Sequence, residues 1–393
     1  MATIKIKNGK LITPYRILEK GEILIRDGLI EEIGVRTGSA DTEIDAGGKY
    51  VSPGFIDIHT HGAGGFDFLD DEPDVFGKIA RSHSEFGTTT LFPTLTSSRT
   101  DVLRNAIIKY ESDVKGDTGG ARMPGLHLEG PYFAMEQRGA QDARYVRPPK
   151  REEYMETLDL SGRISRWSLA PELPGAYEFA AELQKRGIMP AIGHSNATYA
   201  QVLEAYEHGF ELITHLYSGC SMMRRIDAYR VAGVVESAFL IEGMNVEVIA
   251  DGHHLPASLL KLILQNKGVS RIALVTDSVR AAGSTGMETI VGDRETGIKA
   301  IIEDGVAKLP DRSAFAGSVA TADRLIRTMT SMGGASLENA VEMLTATPAR
   351  IMGIYDRTGS LSPGKYADIV IFNKNCEVEM TMVGGRIVFK KND

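Results

Sequence analysis

The sequence predicts an α/β protein: a (β/α)8 TIM barrel with a small β-sandwich domain formed from both termini. Three observations predict it. Between about Pro53 and Gly353, short apolar runs alternate with segments of helical period, the rhythm of repeated βα units on a parallel sheet. Eight such runs stand in order, FIDIHTH, TTTLFPT, MPGLHLE, ISRWSLAPE, IMPAIGH, LITHLY, NVEVIAD and RIALVTD, and eight strands close a barrel. Both ends of the chain, by contrast, read as short strands broken by turns.

At the N-terminus these are IKIKNGKLIT, GEILIRDGLIEEIG and the turn Ala46-Gly47-Gly48, which read as β-hairpins; at the C-terminus KYADIVIFNKNCEVEMTMVGGRIVF turns at Gly384-Gly385. The expected division is therefore 1–52 and 354–393 for the small domain and 53–353 for the barrel, a layout that 393 residues accommodate. Helices are expected where apolar residues recur at helical spacing. Leu103, Ile107 and Tyr110 form one stripe, Leu259, Leu262 and Ile263 a second that stops at Lys267-Gly268, and Leu337, Val341 and Leu344 a third behind a Ser336 cap.

Apolar residues at 42% and charged residues at 24% suffice for a large core and a soluble surface, which excludes a disordered chain. The net charge of −8 is scattered along the sequence and speaks against a nucleic-acid surface. Cys220 and Cys376 lie far apart with no CxxC pair, so neither a disulfide framework nor a thiolate zinc site is indicated. The N-terminus lacks the apolar core of a signal peptide and no run is long enough to span a bilayer; a cytoplasmic protein without a membrane partner is expected. Without secretion, Asn196-Ala197-Thr198 reads as part of a site loop rather than a glycosylation sequon.

Ionisable residues stand at or just beyond the ends of the strand candidates: His59, His61, Glu129, His194, His215, His254 and Asp277. In a parallel barrel all strands end on one face, so residues remote in sequence converge there. His59 and His61 are two apart, the side-chain period of a strand, and face the same way. Glu129 ends an apolar strand, where a buried carboxylate needs a partner; a divalent cation is the strongest, and an arginine the competing one. With His194 and His215 it makes a His2Glu set that suits zinc or iron and leaves a position open for water. Asp277 ends the eighth strand, where a carboxylate can take a proton from water activated by a cation and pass it to a leaving amine; capping the next helix is its bland alternative.

PGFIDIHTHG, GLHLEGPYF, APE, GHSNAT, THLY, ADGHH, LVTD and AGS, in that order along nearly the whole chain, resemble the N-acetylglucosamine-6-phosphate deacetylases of the amidohydrolase superfamily. The resemblance implies a metal-dependent amidohydrolase that removes acetyl from an N-acetyl amino sugar in amino-sugar catabolism, and a homodimer. Glu129, His194 and His215 would hold the principal metal, zinc or iron, and Asp277 would be the catalytic base and acid. His59 and His61 match positions that carry a second ion in some members, so one or two ions per subunit are expected. The fourth strand candidate offers no lysine, which sets the chain apart from amidohydrolases bridged by a carboxylated lysine. Substrate contacts are implied at His254, at Ser318 of AGS, and at three segments that depart from the family pattern. Gly139-Ala140-Gln141-Asp142 has Ala140 and Gln141 where relatives carry Gly-Ala-His-Asn, so the amide of Gln141 would replace an imidazole at the acetyl carbonyl. Ser218 and Gly219 stand in HLYSGC where HLYNAM is usual, and the segment SMMRRIDAYRVAG offers Arg224, Arg225 and Arg230 for a phosphate. These departures keep an unphosphorylated or galactosamine-type substrate open; a noncatalytic barrel scaffold, which would be expected to lose ligands, is the reading from a different class.

Overall fold

In the computed structural model, which describes residues 3–284, 286 and 288–392, the eight runs form one parallel sheet. Its strands are β1 (Phe55–Thr60), β2 (Thr88–Thr96), β3 (Leu126–Glu129), β4 (Ile164–Leu169), β5 (Met189–Ile192), β6 (Leu212–Ile213), β7 (Asn245–Ile249) and β8 (Ile272–Val275). They neighbour one another in chain order, and a parallel bridge from Thr60 to Ser278 joins the last to the first. The strands are buried almost without interruption, as expected when helices cover one face and a packed interior the other. A small apolar layer, including Ile56, Ile58, Phe92, Ala191, Leu212 and Ala273, fills part of the interior.

The helical stripes hold with one exception. Ser336 accepts a hydrogen bond from the Asn339 amide and opens the helix Leu337–Met343, and Ile107 and Tyr110 are buried in Thr100–Asp113. In Ala257–Lys267, however, Leu260 and Ile263 face the core, whereas Leu262 is 40% exposed. Four large apolar residues, Leu259-Leu260 and Leu262-Ile263 on either side of Lys261, satisfy two helical stripes, and packing against the barrel selects the second.

Strands from both ends of the chain share a second sheet, with the C-terminal strands Ile369–Phe372, Val378–Val383 and Arg386–Lys390 continuing from Tyr50–Pro53. Ile6, Ile23, Val51, Ile369 and Met382 pack in its core, so the two termini stabilise one unit. Asp27-Gly28 and Gly384-Gly385, all with positive φ, make the tight turns of antiparallel hairpins. The turn at Ala46-Gly47-Gly48 does not close a hairpin as expected. Thr42–Asp45 and Tyr50–Pro53 both pair parallel with the long strand Thr3–Ile12, one with each half, about a break in register at Asn8. Two excursions from the βα rhythm are also present: a hairpin of Arg224–Ile226 with Tyr229–Val231, and a three-stranded sheet over Glu288–Val291, Ile298–Glu303 and Val306–Lys308.

Candidate metal centre

Three of the ionisable residues reach the centre by the same local device. His194, His215 and Asp277 each lie two residues beyond the last residue of β5, β6 and β8, and each has positive φ, at 47°, 30° and 46°. A non-glycine residue in that region costs about 1–3 kcal/mol, which surrounding contacts must offset. The Asp277 amide donates to the His59 carbonyl at 2.9 Å, and the His215 amide to Glu247 at 3.2 Å. The backbone thus turns sharply at each strand end and aims the side chain at the barrel mouth.

Glu129, the last residue of β3, is the hub. Its Oε1 lies 2.8 Å from Nε2 of His215, 3.2 Å from Nε2 of His194 and 3.6 Å from Nε2 of His59; its Oε2 lies 3.4 Å from Nε2 of His61. Asp277 Oδ1 stands 3.2 Å from His61 and 3.5 Å from His59. All six residues are buried. Burial alone would push the His215 imidazole down, but the Glu129 carboxylate beside it raises it to about 9. Burial also opposes ionisation of Glu129, and the imidazoles around it, His59 foremost, hold its carboxyl well below the ordinary range.

These residues fit a divalent cation. Two donor sets, His59 with His61 and Glu129, and Glu129 with His194 and His215, each bring one atom per residue within 4.8 Å of the others. Donors on a tetrahedral ion with bonds of ~2.1 Å stand roughly 3.4 Å apart, the range seen around Glu129. Nε2 of His59 is buried with no hydrogen-bond partner, a lone pair aimed at the centre. His61 and His194 use Nδ1 to donate to the carbonyls of Thr94 and Gln137, at 3.1 and 2.8 Å, which leaves their Nε2 atoms free to ligate.

The cavity over the centre measures about 310 Å³ and is lined by Ala140, Gln141, Ser218, Gly219, His254 and Phe315 as well as by Glu129, His61, His194, His215 and Asp277. His254 is oriented by Asp251, Nδ1 to Oδ2 at 2.8 Å, and packs against Phe315, with ring centroids 4.5 Å apart; His253 is exposed. Gly219 has a strict reason to be glycine. Its φ is 56°, and a Cβ there would come within 2.5 Å of His194 Nδ1 and 2.8 Å of the Gln137 carbonyl that orients that ring.

Three of the expected contacts fall elsewhere. Ser318 is fully buried, its hydroxyl donating to the Thr276 carbonyl at 2.5 Å and accepting from the Ala320 amide, so it shapes the loop under the site rather than the cavity wall. Arg225 and Arg230 face one another across the exposed 224–231 hairpin and line no part of this cavity; Arg224 instead donates to the Asn196 carbonyl at 2.7 Å. Gln141 lines the cavity, but its amide nitrogen donates to Glu129 Oε2 and its carbonyl accepts from Thr96 and Ser97, so both ends are engaged by protein.

Two supporting groups were not singled out from sequence. Glu172, of the APE motif, accepts from the Ser195 hydroxyl at 2.7 Å and the Asn196 amide at 2.5 Å, and so holds the loop after His194; Thr198 then caps the helix Tyr199–Glu207. Glu247 on β7 and Arg166 on β4 are wholly buried beneath the centre. A charged residue inside an apolar strand run was the available signal for both.

A parallel barrel whose strand ends gather four imidazoles and two carboxylates around one point defines a metal-dependent hydrolase. Residues 50–388 match the Amidohydrolase family. The chain is 30% identical to the N-acetylglucosamine-6-phosphate deacetylase of Bacillus subtilis over 98% of this chain and 97% of that one. It is 29% identical to the N-acetylgalactosamine-6-phosphate deacetylase of Escherichia coli O157:H7, over 96% and 97%. A mutant N-acetyl-D-glucosamine-6-phosphate deacetylase from Mycobacterium smegmatis, solved in complex with N-acetyl-D-glucosamine-6-phosphate, superposes with a TM-score of 0.89 at 27% identity, over 99% of this chain and 100% of that one. The chain belongs to the amidohydrolase family, in its N-acetylglucosamine-6-phosphate deacetylase branch.

Proposed function

We propose that this enzyme hydrolyses the acetamide of N-acetylglucosamine 6-phosphate to give glucosamine 6-phosphate and acetate. The carrying observation is Asp277 beside two candidate cation sites that share Glu129, at the floor of a cavity sized for a sugar. Glu129, His194 and His215 would hold a divalent cation, and His59 and His61 with Glu129 a second, which when bound would supply Lewis-acid polarisation of the carbonyl and a water of lowered pKa. Zinc or iron suits this donor set.

Asp277 takes the proton as water adds to the acetyl carbon and returns it to the departing nitrogen, so that the C–N bond breaks with a neutral amine as leaving group. His254, fixed by Asp251, faces the cavity and binds the sugar. Gln141 holds Glu129 in place rather than meeting the acetyl carbonyl.

The phosphate is assigned to the 224–231 hairpin. Arg225 and Arg230 stand directly opposite one another, an arrangement that is unfavourable unless an anion relieves it. The exposed Ile226 and Tyr229 on the same hairpin suit burial against a second copy, so the reading includes a homodimer in which the hairpin reaches toward the neighbouring site. A phosphorylated substrate does not cross bilayers unaided, which fits a cytoplasmic enzyme.

The test is amine and acetate release from N-acetylglucosamine 6-phosphate, its galactosamine isomer and both free sugars, using zinc-replete protein. Turnover at least tenfold faster on the glucosamine phosphate supports the reading. A preference for the galactosamine isomer, which the Escherichia coli relative favours as an alternative, would reassign the substrate. Chelation should abolish turnover, and zinc should restore it.

A further inference from the structure

The four imidazoles around Glu129 are not held alike. His61 and His194 turn their outer nitrogens to backbone carbonyls, and Nδ1 of His215 has no partner. His59 turns Nδ1 to a carboxylate, Oε2 of Glu247, at 2.9 Å. Among the described residues it is the only one of the four so arranged.

Glu247 is itself placed with care. It lies on β7, two strands from His59 on β1 with β8 between them, and is wholly buried. Its Oε1 is ion-paired with Arg166 of β4, also wholly buried, and its Oε2 accepts the His215 amide as well as the His59 ring. Arg166 in turn donates from Nη2 to the Ile58 carbonyl at 2.8 Å and to Nδ1 of His127 at 2.7 Å. Arginine has only donors, so His127 accepts at Nδ1 and donates from Nε2 to Ser168. The donor and acceptor directions of the whole chain from Ser168 to His59 are thereby fixed.

We infer that Glu247, neutralised by Arg166, is a positioning residue that makes His59 a metal ligand and so sets occupancy of the second cation position, the one shared by His59, His61 and Glu129. The physical reason is tautomer choice. A neutral imidazole carries one ring proton, and the nitrogen that carries it cannot ligate. Glu247 accepts a proton at Nδ1, which leaves the lone pair on Nε2, the atom that is buried, unpartnered and 3.6 Å from Glu129 Oε1. Without that carboxylate the ring can place its proton on Nε2, facing Glu129 and Asp277, and the position is blocked.

Stability does not account for the pair. A buried ion pair is commonly no better for folding than an apolar pair of the same shape, so its position behind one ligand is the more informative fact. Neither member touches the cavity, which separates this role from substrate binding. The inference rests on the metal-site assignment above, but on no assumption about substrate.

The test is metal uptake by stripped protein, followed by zinc titration against a chromogenic chelator and by the visible spectrum on cobalt loading. Wild type is expected to take two equivalents. Glu247→Gln should bind the first as tightly as wild type and the second about 10–100-fold more weakly, and His59→Gln should match it. Because Glu247→Gln strands the Arg166 charge, the double variant Glu247→Gln/Arg166→Met provides a neutral version in which the same loss is expected. A wild type that binds one equivalent, or a folded variant that binds the second as wild type does, overturns the inference. Should neither variant fold, nitrogen-15 NMR of the zinc-loaded wild type decides: the His59 ring proton belongs on Nδ1, and a proton on Nε2 overturns the assignment. Metal uptake needs no substrate, so failure here and failure to release acetate are separate results.

Discussion

Gln141 donates from Nε2 to Oε2 of Glu129 across 2.8 Å, while Thr96 and the Ser97 amide hold its carbonyl. The amide is thus locked in one orientation and bears on the residue that both candidate cation sites share. Gln141→Leu should weaken metal binding about 10–100-fold while leaving the melting temperature of the metal-stripped protein within a few degrees of wild type. Competition titration with a chelator measures this; unchanged affinity would return Gln141 to the role of a carbonyl contact.

Asp277 is the proton carrier of the proposed reaction, and its carboxyl is held below the ordinary range: burial opposes this, but the hydrogen bond with His61 outweighs it. Asp277→Asn keeps the shape and removes the base. Turnover should fall by about 10²–10⁴-fold with metal content unchanged by elemental analysis. Near-normal turnover in the metal-replete variant would remove Asp277 from the mechanism.

His83, outside the candidate ligand set, gives a further pH dependence. It is buried behind β1, with Nε2 3.0 Å from the Thr60 hydroxyl, and burial pushes it down to about 4. In the unfolded chain a histidine titrates near 6.5, so between these values the unfolded state takes a proton that the folded state refuses. Its contribution is complete above pH 6.5 and is lost on acidification toward pH 4, by up to about 3 kcal/mol. Urea unfolding across that window should give a shallower acid limb for His83→Gln than for wild type. Equal slopes would mean that His83 is charged when folded.

Arg280 ties the three-stranded sheet of residues 288–308 to the barrel. Its guanidinium meets Asp70 at 2.8 and 3.0 Å and donates to the Ile290 and Gly292 carbonyls, and Val291 of that sheet lines the cavity. Arg280→Met leaves the buried Asp70 with only the exposed Arg294, at 3.5 Å, as an ion-pair partner and should cost about 1–3 kcal/mol. Hydrogen exchange in 288–308 should quicken and KM should rise more than kcat falls. Exchange that stays at the wild-type rate there would show the sheet to be held by other contacts.

The barrel was legible because its signal is local. Each strand is an apolar run, and each of the eight runs read from sequence became a strand in the expected order. The His59/His61 pair was legible for the same reason, since residues two apart along extended backbone at a strand end share a face by local geometry. Leu262 and the turn at Ala46 were misread because alternation and periodicity name candidate faces without naming which one the neighbours cover.

The sequence by itself determined the βα rhythm, the joining of both termini in one sheet, and which residue types stand at strand ends. Only the tertiary structure decided which of those side chains meet. That Gln141 turns to Glu129, that Ser318 spends its hydroxyl on Thr276, and that Arg166, Glu247 and His59 form one buried chain all depend on partners 12 to 188 residues apart. Hydrogen bonds and ion pairs are short-ranged and directional, so they are fixed only when the closed barrel brings the partners within about 3 Å.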